Sequence, residues 1–172
     1  MITKQKPSKN TDTKFIKPNI GISEKNLNSV CTILEVVLSD DMTLYVKTRK
    51  YHWNVSGESF MELHKLFQDQ YTKLEEVIDL TAERINQLGR PTIGTMREFI
   101  QLSFLKESPK SYPGKVEMLN DLLKDHEYMA TQLRKDIKEC SEKFDDSGTA
   151  DFLTKVMEIH EKEAWVLRRY KN

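Results

Sequence analysis

The sequence predicts an all-α protein, a four-helix bundle with one long crossover that carries a short helix. Three observations support this. Only 6 glycines and 5 prolines occur among 172 residues. Apolar residues recur at helical spacing in four long stretches, and the connection at residues 90–112 is long enough to cross a bundle. A chain of this length can bury the core of one domain.

The first two predicted helices are separated by the break N-V-S-G at residues 54–57. Ser23 can cap the first helix, because its hydroxyl can accept a hydrogen bond from a free backbone amide. The second helix is predicted to begin at Ser59 and to end at Leu88. Gly89 follows, with a proline two residues later, which is a typical stop signal.

The second half of the chain predicts a short helix over residues 96–102, followed by two further long helices. A turn is predicted at residues 145–148, between the third and fourth long helices. The apolar stripe of the third comprises Val116, Leu119, Leu122, His126, Met129, Leu133, Ile137 and Cys140. The stripe of the fourth comprises Phe152, Val156, Ile159, Val166 and Tyr170.

Residues 1–20 predict a flexible basic arm, and residues 21–172 the bundle domain. The chain as a whole has 27 basic and 27 acidic residues, so attraction to DNA requires local charge. The arm provides such a local concentration of positive charge. It is either a non-specific, salt-sensitive DNA contact or a solubilising tail. Its lysines are Lys4, Lys6, Lys9, Lys14 and Lys17.

Cysteine usage and hydropathy favour a cytoplasmic protein without a membrane segment. Cys31 and Cys140 form neither a C-x-x-C motif nor a disulfide framework. No apolar run approaches the roughly 20 residues of a membrane span, and the N-terminus lacks the apolar stretch of a signal peptide.

Two histidines and two acids have the composition of a metal site that one chain cannot assemble. His52 and His64 flank the break between the first helices, and Asp79 and Glu83 lie further along the second. On one helix His64 and Asp79 are about 22 Å apart, whereas metal ligands lie about 2.0–2.5 Å from the ion. Either these residues are unrelated, or a second copy of the chain completes the site.

Spacing alone leaves both interpretations open. His64 and Gln68 share a helix face, as do Asp79 and Glu83, so a two-fold axis could bring the pairs together. The alternative is that they are ordinary polar residues on a solvated face. No Glu-x-x-His motif occurs, which argues against a two-metal centre inside one bundle.

Three segments resemble the Dps family, the ferritin-like miniferritins known as DNA-binding proteins from starved cells. They are Y-H-W-N-V-S-G at residues 51–57, L-H-K-L-F at 63–67 and D-L-T-A-E-R-I at 79–85. The similarity extends from P-N-I-G at 18–21 to H-E-K-E-A-W at 160–165. It implies a ferritin-like four-helix subunit and a dodecameric shell built from two-fold dimers.

The resemblance also implies iron chemistry at the dimer interface. His52 and His64 match the histidine ligands of one chain, and Asp79 and Glu83 match the acidic ligands of its partner. The implied activity is oxidation of ferrous iron by hydrogen peroxide or oxygen, with storage of the ferric mineral. Gln68 departs from the carboxylate that many members carry there, which predicts a weaker second iron position. The alternative function is a nucleoid-compacting DNA-binding protein with a vestigial metal site.

Other polar residues have two interpretations each. By resemblance, an acidic cluster including Glu142, Asp146 and Asp151 lines a pore, although an acidic turn before a helix gives the same pattern. Trp53 and Tyr71 are either sinks for oxidising equivalents or packing residues.

Two more histidines, His126 and His160, lie on or beside apolar stripes. We expect both to be hydrogen-bonded structural residues rather than metal ligands.

Overall fold

The computed structural model describes residues 16–170. Four long helices form the bundle, and one short helix lies on the crossover. The helices are α1 (Glu24–Asn54), α2 (Phe60–Gln87), α3 (Met96–Leu102), α4 (Lys115–Lys138) and α5 (Ser147–Arg169). No strand occurs in this part of the chain, and none of its helices is long and apolar enough to cross a membrane. The predicted all-α bundle with one long crossover is confirmed.

Local signals in the sequence set the helix ends. The Ser23 hydroxyl accepts a hydrogen bond from the Asn26 amide at 3.2 Å, which caps α1 as predicted. Thr95 and Glu98 form a reciprocal capping box at the start of α3. Gly89 ends α2 with a φ of 80°, and a Cβ there would lie 2.4 Å from Pro18 Cδ. Only glycine fits both requirements.

The α1–α2 and α4–α5 hairpins pack together around a continuous apolar core. Two predicted members of the α4 and α5 stripes are exposed, Val116 by 57% and Tyr170 by 44%. Both lie at the ends of their helices, where the bundle no longer surrounds a side chain.

The turn before the last helix differs from the prediction. A π-helical turn, Glu139–Lys143, follows α4, and α5 begins at Ser147, so Ser147 and Gly148 are helical. The Asp146 carboxylate caps α5, accepting hydrogen bonds from the Thr149 amide at 2.8 Å and the Thr149 hydroxyl at 2.6 Å. The cap defines the helix start, because it satisfies one of the amides left free there.

Candidate metal centre

His52 and His64 meet where α1 passes into α2. His52 lies in the last turn of α1, and His64 lies in the second turn of α2. Only residues 55–59 connect the two helices, and the left-handed conformation of Gly57 and Ser59, with φ of 85° and 64°, reverses the chain direction. The imidazole rings stack with centroids 3.7 Å apart.

Each histidine is held by the other's backbone. His52 Nδ1 donates to the His64 carbonyl at 2.7 Å, and His64 Nδ1 donates to the His52 carbonyl at 2.9 Å. A carbonyl only accepts, so each Nδ1 carries a hydrogen and each Nε2 has a free lone pair in the neutral ring. Within residues 16–170 neither Nε2 has a hydrogen-bond partner. This is the usual orientation of metal-binding histidines, in which one ring nitrogen is anchored and the other binds.

The acidic pair lies on α2, the same uninterrupted helix that carries His64, but several turns further along. Asp79 and Glu83 are exposed, and Asp79 lines an open groove between α1 and α2 with Met42, Tyr45 and neighbouring α2 side chains. The 15-residue separation from His64 corresponds to about 22 Å along the axis and about 60° around it. No group of three or more His, Cys, Asp or Glu side chains in the described chain could hold a metal ion. Gln68 is exposed one turn beyond His64.

Aromatic rings and one cation surround the histidine pair. Tyr71 is edge-on to His52, with ring centroids 5.3 Å apart. The guanidinium of Arg49 lies 4.7 Å from the Tyr71 ring centroid and 5.4 Å from that of Trp53, which is 64% exposed. Arg49 Nε is buried without a hydrogen-bond partner. The sequence interpretation did not include Arg49, although its position three residues before His52 places it on the same side of α1.

The acids around the last turn separate into two groups. Glu142 and Asp151 are exposed, each near a lysine one turn away, at 3.9 Å and 2.7 Å. Asp146 is 2% exposed, and its carboxylate lies 3.2 Å from an Arg84 guanidinium nitrogen. Within one subunit the Asp146 carboxylate lies between α2 and the start of α5, and the pore role predicted for Asp146 stays a prediction.

The remaining predicted residues lie away from this centre. Lys17 forms a 2.7 Å ion pair with Glu24, and Lys4, Lys6, Lys9 and Lys14 lie outside the described residues. His126 and His160 are buried and contact each other, in agreement with their predicted structural role. Asp41, also buried beside His160, was missed. The sequence signal that could have identified Asp41 is its position, because it is an acid at the helical spacing of the apolar stripe of α1.

The chain is similar to known proteins over most of its length. The sequence model of the ferritin-like domain matches residues 31–172. A protein called DNA protection during starvation protein 2, from Bacillus anthracis, is 34% identical over 144 residues, covering 83% of this chain and 97% of the relative. The chain belongs to the Dps family. Dps proteins are ferritin-like proteins associated with iron storage and DNA protection.

Other relatives and solved structures extend the similarity over nearly the whole Dps subunit. A low temperature-induced protein of Nostoc sp. is 43% identical over 152 residues, covering 88% of this chain and 85% of the relative. The structure of DpsC from Streptomyces coelicolor has a TM-score of 0.88 at 27% identity, covering 92% of both chains. Dps from Vibrio cholerae, described as a ferritin-like diiron-carboxylate protein, has a TM-score of 0.84 at 26% identity, covering 91% of this chain and 97% of that one.

Proposed function

We propose that this Dps protein is a ferroxidase that oxidises ferrous iron at intersubunit sites and stores the ferric mineral inside a dodecameric shell. The reciprocal anchoring of His52 and His64 is the observation that carries the proposal. It fixes the tautomer of both rings and leaves the two Nε2 atoms as ligands before iron arrives.

A partner subunit would complete each site. The distance along α2 prevents Asp79 and Glu83 from reaching the histidines of their own chain. In a two-fold dimer the histidine end of one subunit would meet the acidic groove of the other, forming two equivalent sites. Exposed apolar side chains support this contact, because they accompany both parts of the site: Trp53, Phe60 and Met61 near the histidines, and Leu80 beside Asp79.

The combined donor set suits iron. Imidazole binds ferrous iron well, and carboxylate oxygens favour the harder ferric ion. Two ferrous ions at one site would each give one electron to hydrogen peroxide. The O–O bond then breaks, and with two protons the products are two ferric ions and two waters. The paired transfer avoids release of a hydroxyl radical, which a single-electron step would generate. Gln68 contributes no negative charge, so we expect the second iron to bind more weakly.

A complementation experiment tests the intersubunit arrangement. One variant carries His52→Ala and His64→Ala, and the other carries Asp79→Ala and Glu83→Ala. Each is expected to lose rapid ferrous oxidation when peroxide is added anaerobically. Co-assembly in equal amounts should restore about a quarter of the wild-type sites, since half the dimers are mixed and one of their two sites is intact. Sites formed within one chain would give no recovery. Unimpaired oxidation in both variants would refute the proposed ligands.

DNA protection is a second candidate function. It is supported by the names of the relatives from Bacillus anthracis and Helicobacter pylori, both called DNA protection during starvation proteins. Five lysines within the first 17 residues offer a sequence-independent contact with phosphates. A shell presenting many arms would multiply a weak contact by avidity. The two functions use different residues, so both can belong to one protein.

A further inference from the structure

A cavity of about 230 Å³ lies between α1 and α4, apart from the residues of the proposed iron site. An apolar cavity of roughly 150 Å³ is enough to bind benzene, so this one has room for a small organic molecule. Apolar side chains form most of its wall, and they are Ile33, Val36, Val37, Phe104, Met129 and Leu133. Such a wall favours a ligand with an apolar body.

Two carboxylates from facing helices also line the cavity. Asp40 belongs to α1 and Asp136 belongs to α4. Neither forms an ion pair with a lysine or arginine among residues 16–170. Lys135, next to Asp136 in the sequence, instead donates a hydrogen bond to Gln132 Oε1 at 3.2 Å. The cavity therefore contains two acids and no cation to pair with them.

Asp40 is held in place with one oxygen left over. The residue is 3% exposed, and its Oδ1 accepts a hydrogen bond from the Ser103 hydroxyl at 2.8 Å. The same oxygen accepts from the amides of Phe104 and Leu105 at 2.7 and 3.0 Å. Its Oδ2 accepts no hydrogen bond in the described chain. Three donors thus fix a buried carboxylate whose second oxygen still lacks a donor.

The charges of the two acids are uncompensated. Burial is the largest cause that raises the pKa of Asp40, and burial also raises the pKa of Asp136 to about 6. The charges of Glu139 and Asp40 add to the rise at Asp136. An unpaired buried charge is unfavourable, so a cation bound in the cavity would offset this cost.

The register of α1 and α4 sets the spacing of the two carboxylates. Two hydrogen bonds of 2.6 Å give the register, from Lys47 to Asp125 and from Tyr51 to Asp121. The helices are therefore antiparallel, and Asp136 lies opposite residue 36, four positions before Asp40. This offset corresponds to about 6 Å along the helix axes. An ammonium lies about 2.8 Å from an oxygen it binds, so two ammonium groups match the spacing better than one.

We propose that the cavity binds a short aliphatic diamine with both ends protonated, one ammonium on Asp40 Oδ2 and the other on the Asp136 carboxylate. The methylene groups between the two nitrogens would lie on the apolar wall. A divalent metal ion has the same charge, but Mg²⁺ requires about six oxygen ligands and has no apolar part. A neutral apolar molecule would leave both acids unpaired. This site does not depend on the proposed iron chemistry, because it uses different residues.

Calorimetric titration of the assembled, full-length protein at pH 7.5 tests the site, with 1,4-diaminobutane as the probe. We expect one diamine to bind per subunit. Butylamine should bind at least about tenfold more weakly, because one hydrogen bond between charged groups is lost. Uncharged butanediol should not bind, and Mg²⁺ should not displace the diamine. Equal affinity for butylamine, or displacement by Mg²⁺, would overturn the proposal.

Variants then locate the bound diamine. Asp136→Asn removes one charge at nearly constant shape and should weaken binding at least about tenfold. Val36→Phe keeps both carboxylates but fills the cavity, so it should abolish binding. Asp151→Asn is the control for loss of an exposed carboxylate. A second control, Asp79→Asn with Glu83→Gln, removes the acidic pair on α2. Both controls should leave diamine binding unchanged.

Three further results would contradict the proposal. The first is no binding of the diamine at millimolar concentration. The second is wild-type affinity in both Asp136→Asn and Val36→Phe. The third is loss of binding in the variant of Asp79 and Glu83, which would assign the diamine to the groove on α2. The comparison of diamine, butylamine and Mg²⁺ uses the wild-type chain, so it decides the question even if a variant does not fold.

Discussion

Lys47 of α1 and Asp125 of α4 form a buried ion pair that joins the two hairpins, with 2.6 Å between Nζ and Oδ2. Their side chains are 6% and 9% exposed, and Asp121 lies 3.3 Å from the same ammonium. The cation is thus shared by two acids of α4. The pair stabilises the packing of α1 against α4, because loss of one partner would leave a buried charge uncompensated.

Lys47→Met should destabilise the subunit by about 3 kcal/mol, because it removes the buried ammonium that pairs directly with Asp125 and Asp121. Asp125→Asn should cost less, since Asp121 still neutralises the lysine. Urea unfolding at pH 7 measures both. The matched control is Lys155→Met, whose exposed ion pair with Asp151 should contribute less than about 0.5 kcal/mol. Equal losses for Lys47 and Lys155 would show that burial does not strengthen the interaction.

Gln68→Asp should strengthen binding of the second iron at the proposed site. It restores a carboxylate on the face of α2 that also carries His64, one turn away. We expect anaerobic ferrous titration to change from one strong and one weak equivalent per site to two strong equivalents. Lys73→Ala is the control, because it changes an exposed charge about 140° around the helix from Gln68. An unaltered titration for Gln68→Asp would mean that residue 68 does not contact iron.

The fold was predictable where one local signal acts alone. Apolar spacing predicted the long helices, and the short helix 96–102 agrees with the structure residue for residue. Asp146 was not predictable in this way, because an acid before a helix suits a pore and a cap equally well. The folded chain forms the cap, and Arg84, which lies 62 positions away in the sequence, donates a hydrogen bond to the same carboxylate. The π-helical turn was not predicted either, because no local sequence motif specifies it.

Deletion of residues 1–17 should abolish the gel shift of DNA at low salt and leave ferrous oxidation unchanged. The deletion removes all five lysines of the predicted arm but none of the proposed iron ligands. Lys17 is the only one of these lysines within the described residues, and its charge is already paired with Glu24. A variant with glutamine at Lys4, Lys6, Lys9 and Lys14 should therefore behave like the deletion. An unchanged gel shift in the truncated protein would refute the role of the arm.

Asp136 should make the subunit less stable as pH rises through the weakly acidic range. It lines a cavity of about 230 Å³ between α1 and α4 together with Asp40. Burial, followed by the charges of Glu139 and Asp40, raises the pKa of Asp136 to about 6. The unfolded carboxyl has a pKa of about 3.9, so between these values the folded state binds more protons. Its contribution to stability is present at pH 4 and is lost as pH rises to about 6.

Asp136→Asn should therefore match the wild type near pH 4 and exceed its stability at pH 7. Partial solvation limits the expected gain to roughly 1–2 kcal/mol. Urea unfolding at the two pH values measures the difference, and Asp151→Asn controls for loss of an exposed carboxylate. A gain that is the same at both values would assign the effect to packing of the amide. Only a gain confined to the higher pH follows from ionisation, because an uncharged amide resembles a protonated carboxyl in shape and polarity.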